Sequence, residues 1–255
     1  MTLEKIISKI QEQLKDGIYP GASLALYQAG RWQEFYFGLA DPQEGKATQA
    51  GLVYDLASVS KVVGVGTLAA FLYEQDKLKL DLPLQHYYPA FHREDVTLRQ
   101  LLTHTSGLDP FIPNRDQLTA PELKAALNHL TVLEDKTFRY TDVNFLLLGF
   151  MLEEIYGQSL DQIFQSQIFQ PWSLAETGFG PVPGAVPTVR GVQDGQVHDP
   201  KARVLGIHAG SAGLFSTLRD LEVFLEHYLQ DDFADHLTQN FSKEPSKRRS
   251  LAWNL

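Results

Sequence analysis

The chain has no cysteine, which excludes disulfides, thiolate nucleophiles and thiolate-ligated zinc. It has no positive surplus either. Lys and Arg total 22 against 31 Asp and Glu, a formal net charge of −9. That balance argues against a nucleic-acid partner, because binding phosphates needs a clustered basic face. The single basic run, residues 243–249 (KEPSKRR), is short and reads as a solvated surface segment. No apolar stretch approaches the length of a membrane span, so no membrane partner is expected. Residues 1–16 mix charges with Ile6, Ile7, Ile10 and Leu14 on one side of a helix, where an export signal needs an unbroken apolar core. The expected location is the cytoplasm. None of the eight His stands in a His-Glu-x-x-His pattern, and the pair His198-Asp199 alone makes no site, so neither metal nor cofactor is expected.

What the chain does have is apolar material: 44% hydrophobic residues over 255 positions can bury a large core. The spacing predicts a helix over about 3–16, ending at Gly17. Two strand-like runs follow, 22–28 and 32–37, joined as a hairpin through Ala29-Gly30-Arg31, and then a polar loop over 41–49. From Ser58 the period changes to that of a helix, with Val62, Val65, Leu68, Ala69 and Leu72 on one stripe. Gly64 and Gly66 weaken this helix, and inside a buried helix they mark a close backbone contact. Short helices are expected at about 97–103, 119–130, 142–156 and 160–168, and a Pro- and Gly-bearing loop region over 170–200. A last helix opens near Ser216-Thr217, with a hydroxyl cap ahead of Asp220. Strands, then helices, then a return imply an α/β fold with an all-helical insertion. The α/β lobe would comprise residues 1–57 and 203–255, the helical lobe 58–202, with a cleft between them.

The candidate chemistry centres on Ser58-Val59-Ser60-Lys61. If a helix begins at Ser58, a hydroxyl and an ammonium three residues apart share one face and can meet. The helix start adds free N–H groups and a positive dipole end beside a developing anion. A serine needs a neighbouring base, and a lysine serves as one only where burial or another cation favours its neutral form. The same four residues also fit a plain helix cap followed by a solvated lysine. Tyr140-Thr141-Asp142-Val143-Asn144 precedes an apolar helix. Tyr140 can relay a proton, from the nucleophile or to the leaving group, and Asp142 can orient Lys61 or accept a bond from a substrate amide. Equally, Asp142 fits a helix cap and Tyr140 a core position.

Together these pieces resemble the broad family of class C β-lactamases, low-molecular-weight penicillin-binding proteins and related esterases. The resemblance rests on 55–61 (DLASVSK), 101–108 (LLTHTSGL), 140–149 (YTDVNFLLLG) and 212–217 (AGLFST) ahead of Asp220-Leu221, in this order from about residue 20 to 230. It implies a two-lobed β-lactamase-like fold with the active site between the lobes. It also implies that a small acyl substrate acylates Ser58, that Lys61 and Tyr140 act together as acid and base, and that Asp142 touches Lys61 or substrate. Asp142 stands where the family usually carries Asn. Residues 104–107 resemble a structural turn, which makes Ser106 a decoy. The family's third motif, Lys-Thr-Gly or His-Thr-Gly on the strand edging the site, has no clear counterpart. His208-Ala209-Gly210 and Ser211-Ala212-Gly213 are at best pocket-lining, with Ser211 a candidate substrate-binding residue. Residues 250–255 resemble the strand shortly before that motif, so several sheet strands and a terminal helix are expected to be absent, leaving the hairpin with an unpaired edge that a second chain could complete.

Two other readings remain open on the residues. Ala209-Gly210-Ser211-Ala212-Gly213 resembles the nucleophile elbow of α/β-hydrolases, with Asp235-His236 downstream, although that elbow needs a strand directly before Ser211 and a helix directly after it. A relative that keeps the cleft as a binding or regulatory site, without catalysis, is the other.

Overall fold

Ten consecutive residues, Val143 to Leu152, are buried in the 14-residue helix α6 (Val143–Tyr156). A helix apolar on every side has nowhere stable to sit except the centre of a domain, and the other elements of the computed structural model are laid around it. The structure describes residues 2–188, 195–230 and 232–255, without side chains at 116, 230, 232, 234 and 236. The expected Asp235-His236 pair therefore includes a side chain outside the description.

In chain order the helices are α1 (Leu3–Lys15), α2 (Thr67–Glu74), α3 (Leu84–Tyr87), α4 (Leu98–Thr103), α5 (Ala120–Asn128), α6, α7 (Leu160–Phe164), α8 (Pro200–Leu205) and α9 (Leu218–Gln230). The strands are β1 (Gly21–Gln28), β2 (Arg31–Asp41), β3 (Lys46–Ala47), β4 (Val53–Asp55), β5 (Gly178–Phe179) and β6 (Leu214–Thr217). Among the described residues they form two three-stranded sheets, ordered β1-β2-β3 and β4-β6-β5. In the first, Gln28 pairs with Arg31 across the two-residue turn Ala29-Gly30, both at positive φ. That backbone twist matches the strands it joins. β2 runs on to Asp41, and Lys46–Ala47 pairs back onto it, so the expected polar loop contains a short strand. In the second sheet, β6 lies between β4 and β5, with Asp55 opposite Phe215. β5 comes from the segment assigned by sequence to the helical lobe.

The apolar core is built from residues outside the hairpin. No residue of β1 is buried, and β1 pairs only with β2 among the described residues. The hairpin is tied to the rest by Trp32, whose indole N–H donates to Glu226 Oε1 of α9 at 2.6 Å, and by Ser23 and Tyr54, whose hydroxyls lie 2.7 Å apart. The last helix begins at Leu218 rather than Ser216. Ser216 and Thr217 finish β6, and Thr217 Oγ1 caps the helix by accepting from the Asp220 N–H at 3.2 Å.

The helix expected from Ser58 is less regular than an α-helix. Residues 57–59 make a 3₁₀ turn, residues 61–66 a π-helical turn, and only from Thr67 does the α pattern hold. Gly64 and Gly66 do mark close approaches: a β-carbon on Gly64 would fall 2.5 Å from the Phe164 ring, and one on Gly66 2.5 Å from the β-carbon of Ala252. Wide turns of this kind arise where packing forces an extra residue into the helix, and they often lie at functional sites.

Candidate active site

Ser58 sits at the surface on the 3₁₀ turn, while Lys61 is only 2% exposed beneath it. The turn is held from two sides. Asp55 Oδ1 accepts from the Ala57 N–H at 2.8 Å, and β6 clamps the turn through the Leu56 N–H to Leu214 carbonyl bond at 2.9 Å and the Leu214 N–H to Ser60 Oγ bond at 3.2 Å. Strand pairing of β4 with β6 thus sets where the hydroxyl of Ser58 points.

The Lys61 ammonium has three protons and finds three acceptors. It lies 2.9 Å from Ser58 Oγ, 2.8 Å from the Ser211 carbonyl and 2.7 Å from Asp142 Oδ1. Each donor of the buried charge is satisfied, the condition under which a lysine can be buried at all. The Ser211 carbonyl reaches Lys61 because glycine meets glycine next to it: a β-carbon on Gly210 would stand 3.0 Å from the α-carbon of Gly149 in α6 and 2.3 Å from the Phe145 carbonyl.

Asp142 directly precedes α6, yet its side chain makes no capping bond to that helix. Its carboxylate turns to Lys61 through one oxygen and to Lys201 through the other, at 3.1 Å. Burial pushes the Asp142 carboxyl up, but Lys61, and after it Lys201, outweigh that and hold it below the usual carboxylate range. Tyr140 is 49% exposed rather than packed in the core, and the Lys61 ammonium lies 5.3 Å from its ring centroid, within cation–π range. The ring rests on the buried imidazole of His104, centroids 4.5 Å apart.

His104 is fixed in turn. Its Nδ1 accepts from Asn144 Nδ2 at 3.0 Å and from the Thr141 N–H at 3.3 Å, which leaves its proton on Nε2. Burial first, then the positive fields of Arg249 and Lys61, push the imidazole down to about 3, so it is neutral at pH 7. Ser106 completes this network by donating to Asn144 Oδ1 at 2.6 Å, and it is only 2% exposed. It belongs to a structural turn, as expected.

The structure therefore gathers Ser58, Lys61, Asp142 and Tyr140 into one place. Ser211 comes to the same place differently from the expectation: its hydroxyl is fully buried and its carbonyl is the group that meets Lys61. The elbow geometry is absent around it, because β6 begins after Ser211 and the next helix only at Leu218. His208 pairs through Nδ1 with Glu153 Oε1 of α6. Among the described residues no group of His, Asp and Glu is arranged to hold a metal ion. Two contributors escaped the sequence reading. His104 was read only as part of a turn, although its neighbours Thr141 and Asn144 flank Asp142 in the second motif. Lys201 lies in the first turn of α8, just past the Pro- and Gly-bearing region over 170–200, where no motif marks it.

Comparison with known proteins bears on the family and the fold. Residues 6–255 match the model of the family described as Beta-lactamase. The chain is 29% identical over 229 residues to a protein of Escherichia coli (strain K12) named "Putative D-alanyl-D-alanine carboxypeptidase", covering 73% of this chain and 52% of that relative. It thus spans about half the length of that protein. Among solved structures it superposes on EstCE1, a hydrolase with promiscuous acyltransferase activity, with a TM-score of 0.78 at 21% identity, over 98% of this chain and 81% of that one. The class C β-lactamase from Rhodobacter sphaeroides gives a TM-score of 0.73 at 20% identity, over 97% and 74%. At such identities these two show the fold, which is β-lactamase-like. With the family model spanning nearly its whole length, this chain belongs to the Beta-lactamase family.

Proposed function

We propose that the chain is a serine hydrolase of the Ser-x-x-Lys type, which transfers an acyl group from a small ester or amide to Ser58 and then to water. The observation that carries this is the set of three acceptors around Lys61. When Lys61 is neutral it keeps two N–H bonds, to the Ser211 carbonyl and to Asp142, and turns its lone pair toward the Ser58 hydroxyl. Ser58 Oγ then attacks the acyl carbon as its proton passes to Lys61 Nζ. The proton returns to the leaving group through Lys61 or Tyr140, and water releases the acyl group by the same route reversed. Tyr140, half-exposed above the ammonium, is placed to meet a leaving group arriving from solvent.

Asp142, a carboxylate occupied by two lysines, offers no amide donor to a substrate. This favours small esters over peptide-like amides. The cytoplasm is the location we include in this proposal. Among the described residues no helix is long and apolar enough to cross a membrane. A second chain adding a strand at the edge of β1 is the protein partner we include.

Hydrolysis rates on p-nitrophenyl esters, nitrocefin and a D-Ala-D-Ala peptide test the proposal, each with a Ser58→Ala control. Ester hydrolysis that disappears in the control supports it. A control as active as the parent removes Ser58 from the mechanism.

A further inference from the structure

Lys201, in the first turn of α8, is 8% exposed, and its ammonium lies 3.2 Å from Asp199 Oδ2 and 3.1 Å from Asp142 Oδ2. One carboxylate balances the charge of Lys201, and Asp199 supplies it. Asp199 is itself anchored, since its Oδ1 caps α8 by accepting from the Ala202 N–H at 2.8 Å. Asp142 already has Lys61. The Lys201–Asp142 contact is therefore one more ion pair than charge balance requires of either group. Its effect falls on the third group, Lys61.

A carboxylate whose sole cation is Lys61 would bind that ammonium as a closed ion pair. A base in a catalytic cycle has to give its proton up and take it back. The two ammoniums and two carboxylates of Lys61, Lys201, Asp142 and Asp199 sum to zero; without Lys201 they leave one net negative charge beside Lys61. Among the described residues, the other groups facing this cluster are Tyr140 above Lys61, the neutral His104 behind Tyr140, and Arg249 beyond it. None of them touches Asp142 Oδ2, so none replaces Lys201 there.

We propose that Lys201 is a positioning residue for the reaction: it takes up half of the Asp142 carboxylate, so that Lys61 stays free to exchange a proton with Ser58 instead of being locked in an ion pair. The inference rests on the hydrolase reading of Ser58 and Lys61. It also accounts for a carboxylate at position 142, which serves as an orienting group only with a second cation on its far oxygen.

The test follows the pH dependence of Ser58 labelling by a fluorophosphonate in the parent, Lys201→Met, Lys201→Arg and the double variant Asp142→Asn/Lys201→Met. Alongside it, the Asp142 carboxyl is titrated by carbon-13 NMR in the parent and the two single variants. In Lys201→Met the acid limb of labelling is expected to move up by about one pH unit, the size of one charge removed a few ångströms away in a partly solvated site. The Asp142 signal should titrate at higher pH in the same variant. Lys201→Arg should restore both, and the double variant should return the limb toward the parent, because it removes the carboxylate together with its balancing cation. A purely structural lysine would lower the melting temperature and leave the limb in place. An unmoved limb and an unmoved Asp142 titration in folded Lys201→Met overturn the inference. If the parent is labelled at no pH, the hydrolase reading fails instead, and the Asp142 titration alone still decides whether Lys201 shares that carboxylate.

Discussion

Asp55 accepts the backbone N–H of Ala57 at 2.8 Å, and Ala57, the residue before Ser58, stands at φ 46°. The left-handed region costs a residue with a β-carbon about 1 kcal/mol, so something must hold it there. Asp55 does so from a side chain with no exposure at all, its second oxygen accepting from the His198 N–H at 3.0 Å. Strain at Ala57 is thus the means by which β4 delivers Ser58 to Lys61. Replacing Asp55 by Ala should lower kcat roughly 10- to 100-fold through misplacement of the nucleophile, with KM little changed, in steady-state ester hydrolysis. Ala57→Gly should leave stability within about 1 kcal/mol of the parent, because relieved strain offsets the extra freedom of the unfolded chain.

Gly64→Ala should destabilise the protein by about 1–3 kcal/mol in denaturant unfolding, since the new methyl would fall 2.5 Å from the Phe164 ring in a closed core. Adding Phe164→Leu should recover part of the loss. Recovery of none would mean that the helix backbone, rather than the ring, limits the space at this position.

Some of this molecule is legible from its residues and some is not, for physical reasons that differ by element. The hairpin is readable because two runs rich in apolar and aromatic residues flank a short turn that takes positive φ at Ala29 and Gly30, a conformation Gly30 adopts without strain. Gly64 and Gly66 announced close packing because nothing else explains glycine in an apolar helix. The meeting of Ser58 and Lys61 follows from their spacing even though the backbone there is not α-helical, because the step from 58 to 61 runs through the 3₁₀ turn, in which three residues make one turn. Short pairings such as β3 and β5 carry two residues each, too few to impose a pattern on sequence. Lys201 meets Asp142 only through a contact between residues far apart in the chain, and tertiary contacts of that kind leave no local period. Asp142 looked like a helix cap from its position alone, and only the direction of its side chain assigns it to Lys61.

His104 gives the protein an acid-sensitive joint. Its ordinary value is 6.5 and the folded chain holds it near 3, so the unfolded chain binds the proton more readily. Stability from this group is complete above about pH 6.5 and is lost as pH falls from there toward 3, with a slope approaching 1.4 kcal/mol per pH unit at most, or about one proton's worth. Melting temperatures across that window should fall for the parent and fall less steeply for His104→Gln. An identical slope in the two proteins would remove His104 as the cause.

Lys61→Met should abolish ester hydrolysis, by a factor of 10³ or more on the scale of triad-type deletions, while circular dichroism stays that of the parent. Breaking a buried ion pair costs about 3–5 kcal/mol when the partner is stranded. Here Lys201 still holds Asp142, so the measured loss of stability should be smaller than that range. A larger loss would assign Lys61 a structural role in place of the chemical one.

The most direct measurement is peptide mass spectrometry after treatment with a fluorophosphonate at neutral pH. A single adduct on Ser58, absent from Lys61→Met, is the predicted result. An adduct on Ser211 or Ser106 instead, or unchanged labelling of Ser58 once Lys61 is gone, would contradict the claim that Lys61 activates Ser58.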